Sequence, residues 1–182
     1  MGRCNETMPA IVPVSSAAHR ESARILISEY LHWIGESAQR EYKLSFDVDA
    51  MVESDMSDPE KFHPPYGRFY VVRENDAFVA VGCLKRLDEL VGEVQRMYVR
   101  ASARGKGIGR LIVDRLIVDA RQIGYRKLRL ESLKFLAAAH ALYKSVGFVE
   151  IDPYGGNSMR EYQASGSIPA YRSSVVFMEM TL

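Results

Sequence analysis

The residues of this chain whose types and spacing could do chemistry concentrate between Glu93 and Gly109. The sharpest group is the turn Arg104-Gly105-Lys106-Gly107-Ile108-Gly109. Three glycines let backbone N–H groups come close to an anion, and the helix that follows adds the positive end of its dipole. Arg104, Lys106 and Arg110 flank the turn. A pyrophosphate is the natural guest. The turn is not a P-loop, because relative to Lys106 the first glycine of GxxxxGK[ST] falls on Arg100, and Gly107 follows the lysine. Nor is it GxGxxG: the third glycine arrives one residue early, and no acidic residue closes a strand about 20 residues on. Taken alone, such a turn is more often a tight strand-to-helix connection whose glycines only solve backbone geometry.

Other reactive side chains are sparse. Cys4 stands in a terminal tail and Cys83 in an apolar run, too few for a thiolate metal site or a disulfide framework, so no metal is expected and a reducing compartment fits. His140 sits between alanines with no second ligand at metal spacing, which reads as a surface or packed residue. Strand alternation puts Glu93, Gln95, Met97 and Val99 on one face. On that pattern alone Glu93 is as well read as a solvated strand glutamate.

Elements must position these groups. Ile11 to Val14 suits an edge strand, broken by Pro13. Ser15 or Ser16 can cap a helix carrying Ala23, Ile27, Tyr30, Leu31 and Ile34 on one stripe, ending near Gly35 or residue 38. A second, short helix is read from Asp47 to Met56, and His63-Pro64-Pro65-Tyr66-Gly67 is turn chemistry. Phe69 to Arg73, Ala77 to Leu84 and Gly92 to Val99 are β-rich, giving four antiparallel strands in succession. Helical spacing then runs from Lys106 to Ile123 with Gly124 as its cap. A strand at Lys127 to Glu131, a helix at Lys134 to Val146, and strands at Phe148 to Ile151 and Val175 to Met180 complete the order. The class is α/β with a mixed sheet. The stretch 154–173, holding Tyr154, Asn157, Arg160, Glu161, Tyr162 and Tyr171, is long for a connection, which favours a functional loop or local disorder.

Composition narrows the class of partner. The 182 residues, 47% hydrophobic, suit one domain over 10–182 behind a tail of residues 1–9. Twenty-four basic against 23 acidic residues leave a net charge of +1, so no global field points to nucleic acid, and Arg126, Lys127 and Arg129 read as a solvated face. No window reaches the ~18 apolar residues of a membrane span, and no signal layout opens the chain, so a cytoplasmic location is expected. Met1-Gly2 is followed by Glu6 where a myristoylation motif needs Ser or Thr.

Two stretches together carry a resemblance. Met97-Tyr98-Val99-Arg100 followed by Arg104-x-x-Gly107-x-Gly109 resembles the [QR]-x-x-G-x-[GA] motif of the GCN5-related N-acetyltransferase (GNAT) superfamily, and Ala139 to Phe148 resembles its A-x-x-L-Y-x-x-x-G-F signature. The order of elements from about Ile11 to the last strand agrees as well. The resemblance implies the GNAT acyl-CoA N-acyltransferase fold, a mixed, mostly antiparallel sheet of about seven strands with four helices, splayed between strands 4 and 5 to admit pantetheine.

By the same resemblance acetyl-CoA is the acyl donor. The backbones of Met97, Tyr98 and Val99 would pair with pantetheine, and N–H groups across Arg104, Gly105, Lys106, Gly107, Ile108, Gly109 and Arg110 would hold the pyrophosphate. Tyr143 matches the tyrosine that protonates the leaving thiolate, where spacing alone reads it as a core aromatic. Glu93 matches a position where relatives carry a glutamate that takes the amine proton directly or through water. At Leu136, where relatives often carry Asn, the likeness fails, so no other contact from that helix is carried over. The implied activity is acetyl transfer to a primary amine on a small molecule or peptide by direct attack, with homodimerisation common among relatives. The alternative is a non-catalytic acyl-CoA sensor of the same fold.

Overall fold

The computed structural model describes residues 8–58, 60–154 and 168–182. An edge strand β1 (Ala10–Pro13) leads into helix α1 (Ala17–Tyr42), which starts where Ser16, in extended backbone, accepts a hydrogen bond from the His19 N–H at 3.1 Å. Gly35 does not end α1. Ile34, Ser37 and Ala38 continue its buried face, and one interior glycine costs only about 1 kcal/mol relative to alanine. The helix closes instead at Lys43, whose φ of 59° directs its N–H back to the carbonyls of Ala38 and Gln39. Helix α2 (Val48–Ser57) is capped by Asp47, which accepts from the Ala50 N–H at 3.0 Å.

Strands β2 (Arg68–Glu74), β3 (Ala77–Arg86) and β4 (Val91–Val99) follow, then α3 (Ile108–Ile123), β5 (Lys127–Leu133), α4 (Ala137–Ser145) and β6 (Val149–Ile151). Helix α5 (Ile168–Ser174) runs into the last strand, β7 (Val175–Thr181). Among the described residues the expected four helices are thus five: α5 lies inside the stretch read as a connection. Tyr154 and Tyr171 of that stretch are described, whereas Asn157, Arg160, Glu161 and Tyr162 lie outside the described residues.

One sheet in the order β1-β2-β3-β4-β5-β7-β6 organises the chain. Every neighbouring pair is antiparallel except β4 and β5, which run parallel. Apolar residues leave the sheet on both faces. Helix α3 covers one with Ile112, Val113, Leu116 and Ala120, joined by Tyr143 and Phe148 from the α4 region. Helices α1 and α2 cover the other with Leu26, Ile27, Leu31, Met51 and Val52. Tyr171 of α5 packs with Ile34, Ala38, Leu133 and Phe177 in a third cluster.

Two irregularities of β4 matter for the site. Its pairing with β5 covers only Val91↔Lys127, Gly92↔Leu128 and Glu93↔Arg129, although both strands continue, so the sheet opens beyond Glu93 as expected. Its register with β3 shifts between Cys83↔Gln95 and Val81↔Tyr98, and the extra residue is a bulge at Arg96, with φ of 53°.

Candidate active site

The opening between β4 and β5 is the mouth of a cavity of about 590 Å³, walled by both strands, α1, α4 and the glycine turn. Glu93 lies at its apex and is 1% exposed. Its carboxylate accepts from the Gln95 side-chain amide and from the Tyr154 hydroxyl, the latter at 2.9 Å. Burial and then the neighbouring Glu93 charge push the Tyr154 phenol well above its ordinary range, so it stays the donor of that pair. The solvated-glutamate reading therefore fails.

The bulge at Arg96 overturns one expectation from alternation. Gln95 is opposite Cys83 and Tyr98 opposite Val81, so Glu93 and Gln95 share a face with Tyr98, toward α1 and α2. Met97 and Val99 turn the other way and pack with the α3 layer. An extra residue in a strand shifts every later side chain by one step, and strict alternation cannot anticipate it.

Beyond Val99 the chain makes a short turn at Ala101–Ala103 and enters the glycine segment. Gly105 and Gly107 have φ of 80° and 78°, the left-handed region where a side chain is strained, and a Cβ on either would meet nothing within 4 Å. Helix α3 begins at Ile108 with no side-chain cap, and its first described turn bond is Leu111 N–H to Gly107 O at 2.9 Å. The N–H groups of Ile108, Gly109 and Arg110 precede that bond and have no intrahelical acceptor by geometry. Gly109 serves packing instead: a Cβ there would sit 3.2 Å from Leu142 of α4.

The flanking cations are engaged locally. Lys106 pairs with Glu74 at 2.9 Å and Arg110 with Asp114 at 2.7 Å. Arg104 donates to the Val99 carbonyl at 2.9 Å and covers the Trp33 ring at 5.4 Å. Backbone N–H groups, more than free side-chain charges, are what the turn offers an anion.

Tyr143 reaches the same cavity from α4, 6% exposed and packed against Phe148 with ring centroids 5.8 Å apart. Burial, and secondarily the Tyr30 hydroxyl, raise its phenol well above the usual value, so it is protonated at neutral pH. Cys83 is buried outside the cavity lining, and burial pushes its thiol up, away from the thiolate a nucleophile needs. His140 is half-buried on α4 and its burial lowers its affinity for a proton.

Five contributors were given no place at the cavity by the sequence reading, although Tyr154 and Tyr171 stood in the long stretch that favoured a functional loop. Tyr30 was counted in the apolar stripe of α1, yet it lines the cavity. Gln95 and Tyr154 hold Glu93, and Tyr171 donates to Glu131 on β5 at 2.7 Å. Arg96 lines the cavity from the bulge. For Tyr30, Gln95 and Arg96 the only sequence signal is polar character within apolar segments.

Residues 28–148 match the family model described as the acetyltransferase (GNAT) family. An uncharacterized N-acetyltransferase of Schizosaccharomyces pombe is 33% identical over 139 residues, covering 74% of this chain and 78% of that protein. The IAA acetyltransferase of Azospirillum brasilense is 29% identical over 81% of this chain and 90% of its own length. An uncharacterized N-acetyltransferase of Dictyostelium discoideum is 47% identical over 62 residues, of which this chain spans only 29% of the relative's length. Among solved structures, a GNAT-family acetyltransferase of Staphylococcus aureus Mu50 superposes with a TM-score of 0.71 over 96% of this chain and 99% of that one, at 19% identity. The PaiA N-acetyltransferase of Thermoplasma acidophilum, in complex with coenzyme A, gives 0.67 over 97% and 100%, at 14% identity. With the splayed β4–β5 pair, the glycine turn and these matches in agreement, the chain belongs to the GNAT family of acyl-CoA-dependent N-acetyltransferases.

Proposed function

We propose that the protein transfers an acetyl group from acetyl-CoA to a primary amine by direct attack in a ternary complex. The observation that carries this reading is the opening of the sheet beyond Glu93. It leaves the β4 edge from Val94 to Val99 without a β5 partner among the described residues and puts Glu93, Tyr143 and the glycine turn around one cavity.

The donor's fit rests on the backbone. An extended amide chain can add to the exposed β4 edge, with the main-chain groups of Met97, Tyr98 and Val99 as partners. The N–H groups from Arg104 through Gly105, Lys106, Gly107, Ile108 and Gly109 to Arg110 suit a pyrophosphate, because the glycines turn no side chain toward it and the dipole of α3 favours negative charge. Acetyl-CoA supplies the activated thioester carbonyl.

The acceptor must lose a proton, since an ammonium has no lone pair. Glu93 is the base, directly or through a water: its carboxylate lines the cavity and is held in place by donors on Gln95 and Tyr154. The amine nitrogen forms a bond to the acetyl carbon as the carbon–sulfur bond breaks, and the sulfur leaves as a thiolate. Tyr143 gives that sulfur its proton. A phenol raised by burial donates only as negative charge develops on sulfur, which ties the step to bond cleavage. Direct attack is favoured over an acetyl-cysteine because Cys83 is protonated and outside the cavity.

The test is release of free thiol from acetyl-CoA across a panel of amines and peptides. Turnover on at least one of them supports transfer. Tight acetyl-CoA binding with no turnover on any would assign the chain to acyl-CoA sensing instead.

A further inference from the structure

The cavity wall carries five charged residues. Arg104 and Arg110 stand at the glycine turn, while Glu93, Arg96 and Glu131 stand at the other end, beside Tyr30 and Tyr171. We infer that Arg96 receives an acidic group of the acceptor, so that the amine acetylated belongs to a small molecule that also bears a carboxylate. This inference rests on the transferase reading above.

Arg96 is a costly residue to place where it stands. It is 7% exposed, and it adopts the left-handed backbone of the β4 bulge without being glycine. Its Nε donates to Asp55 Oδ2 and its Nη2 to Asp55 Oδ1, the latter at 3.2 Å. Asp55 also accepts from Lys61 Nζ at 2.6 Å, so one buried carboxylate faces two buried cations. The cluster therefore keeps an uncompensated positive charge. Lys61 alone would neutralise Asp55, and an apolar side chain in place of Arg96 would then serve packing as well.

A guanidinium has five N–H donors, and the bonds to Asp55 use one on Nε and one on Nη2. No hydrogen bond from Nη1 is made among the described residues. Asp55 and Lys61 do not line the cavity, whereas Arg96 does. Its charge is felt there: at the Tyr30 hydroxyl, burial dominates in raising the phenol, Arg96 opposes the rise and Glu131 adds to it. The acceptor end thus carries both signs of charge, Arg96 on one side and the carboxylates of Glu93 and Glu131 in the same lining.

That polarity matches a zwitterion. The ammonium is drawn toward Glu93 and Glu131, where its proton is to be removed, and the carboxylate is drawn toward Arg96, whose planar fork suits it. Glu93 and Arg96 are three residues apart on one strand, so their backbones stand at most ~10 Å apart. One amino acid or similarly small amino-carboxylic acid can engage both.

The experiment compares L-amino acids with their C-terminal amides, and with carboxylate-free diamines, in the thiol-release assay with the full chain. Wild-type kcat/KM is expected to favour the acid over its amide by on the order of a hundredfold, because the amide leaves the excess positive charge of the Lys61–Asp55–Arg96 cluster uncompensated. Arg96→Gln should bring the ratio close to one through KM for the acid, and Arg96→Lys should restore part of it, with acetyl-CoA binding by calorimetry as the check on folding. Equal use of acid and amide by the wild type, turnover confined to carboxylate-free amines, or an unchanged ratio in Arg96→Gln would each overturn the inference while leaving the transferase intact. Binding of acetyl-CoA without turnover of any amine would overturn the transferase reading and this inference together.

Discussion

Glu93 and Arg129 face each other on the last rung that β4 and β5 share. Beyond it the strands part, so the proposed base stands where a paired sheet becomes an open wall. Arg129 donates to Glu179 at 2.8 Å and stacks at 4.8 Å over the Tyr154 ring. Glu93 accepts hydrogen bonds from the neutral donors Gln95 and Tyr154.

Replacing Glu93 by Gln keeps the shape and removes the proton acceptor. Steady-state kcat should fall roughly 10²–10⁴-fold, while acetyl-CoA affinity measured by calorimetry stays the same. Unchanged turnover would remove Glu93 from the mechanism.

For Tyr143→Phe the ring contact with Phe148 survives and only the hydroxyl is lost. A loss of about 10²-fold in kcat with little change in melting temperature is expected. A purely structural aromatic would leave the kinetics untouched, so thiol-release rates decide.

Gly107→Val and Lys106→Ala separate backbone from side-chain recognition at the turn. A Cβ there meets nothing within 4 Å, so the valine enters the space open to an anion, and it strains a φ of 78°. Donor affinity should drop at least tenfold, on the order of 1.4 kcal/mol. Lys106 is already paired with Glu74, so its loss should weaken binding far less. Equal effects would show that the lysine, not the backbone, holds the phosphate.

Alkaline pH should destabilise the fold. Burial raises the phenols of Tyr143, Tyr154 and Tyr171 well above their ordinary value and that of Tyr125 to about 12. Each phenol holds its proton more tightly folded than unfolded, so its contribution is complete below the unfolded value of about 10 and is lost as pH rises through the folded one. The urea midpoint should be level from about pH 8 to about pH 10 and fall steeply above. A midpoint still level near pH ~11.5 would mean these groups titrate as they do in the unfolded chain.

Much of this was readable residue by residue. Seven strands and the two site helices follow from apolar period, from Gly124 as a cap and from turn chemistry, because those signals are local. The glycine turn and the Ala139 to Phe148 stretch together identified the family. What failed was non-local. Gly35 looked like a stop, but burial of Ile34, Ser37 and Ala38 carried α1 on to Tyr42. Tyr30 counted as apolar because a helical stripe cannot show that its hydroxyl end faces a cavity shared with α4.

By itself, then, the sequence determined the α/β layout and the glycine turn, since both depend on short-range spacing, and it offered Glu93 and Tyr143 as base and acid only through the family resemblance. Tertiary structure alone decided how they act. Tyr154 reaches Glu93 across 61 residues, and a bulge at Arg96 turns Met97 and Val99 from the face Glu93 occupies. The physical reason is that burial, hydrogen-bond partners and field at a site are set by which strands pair and where they part, and a pairing that stops at Glu93 leaves no trace in local periodicity.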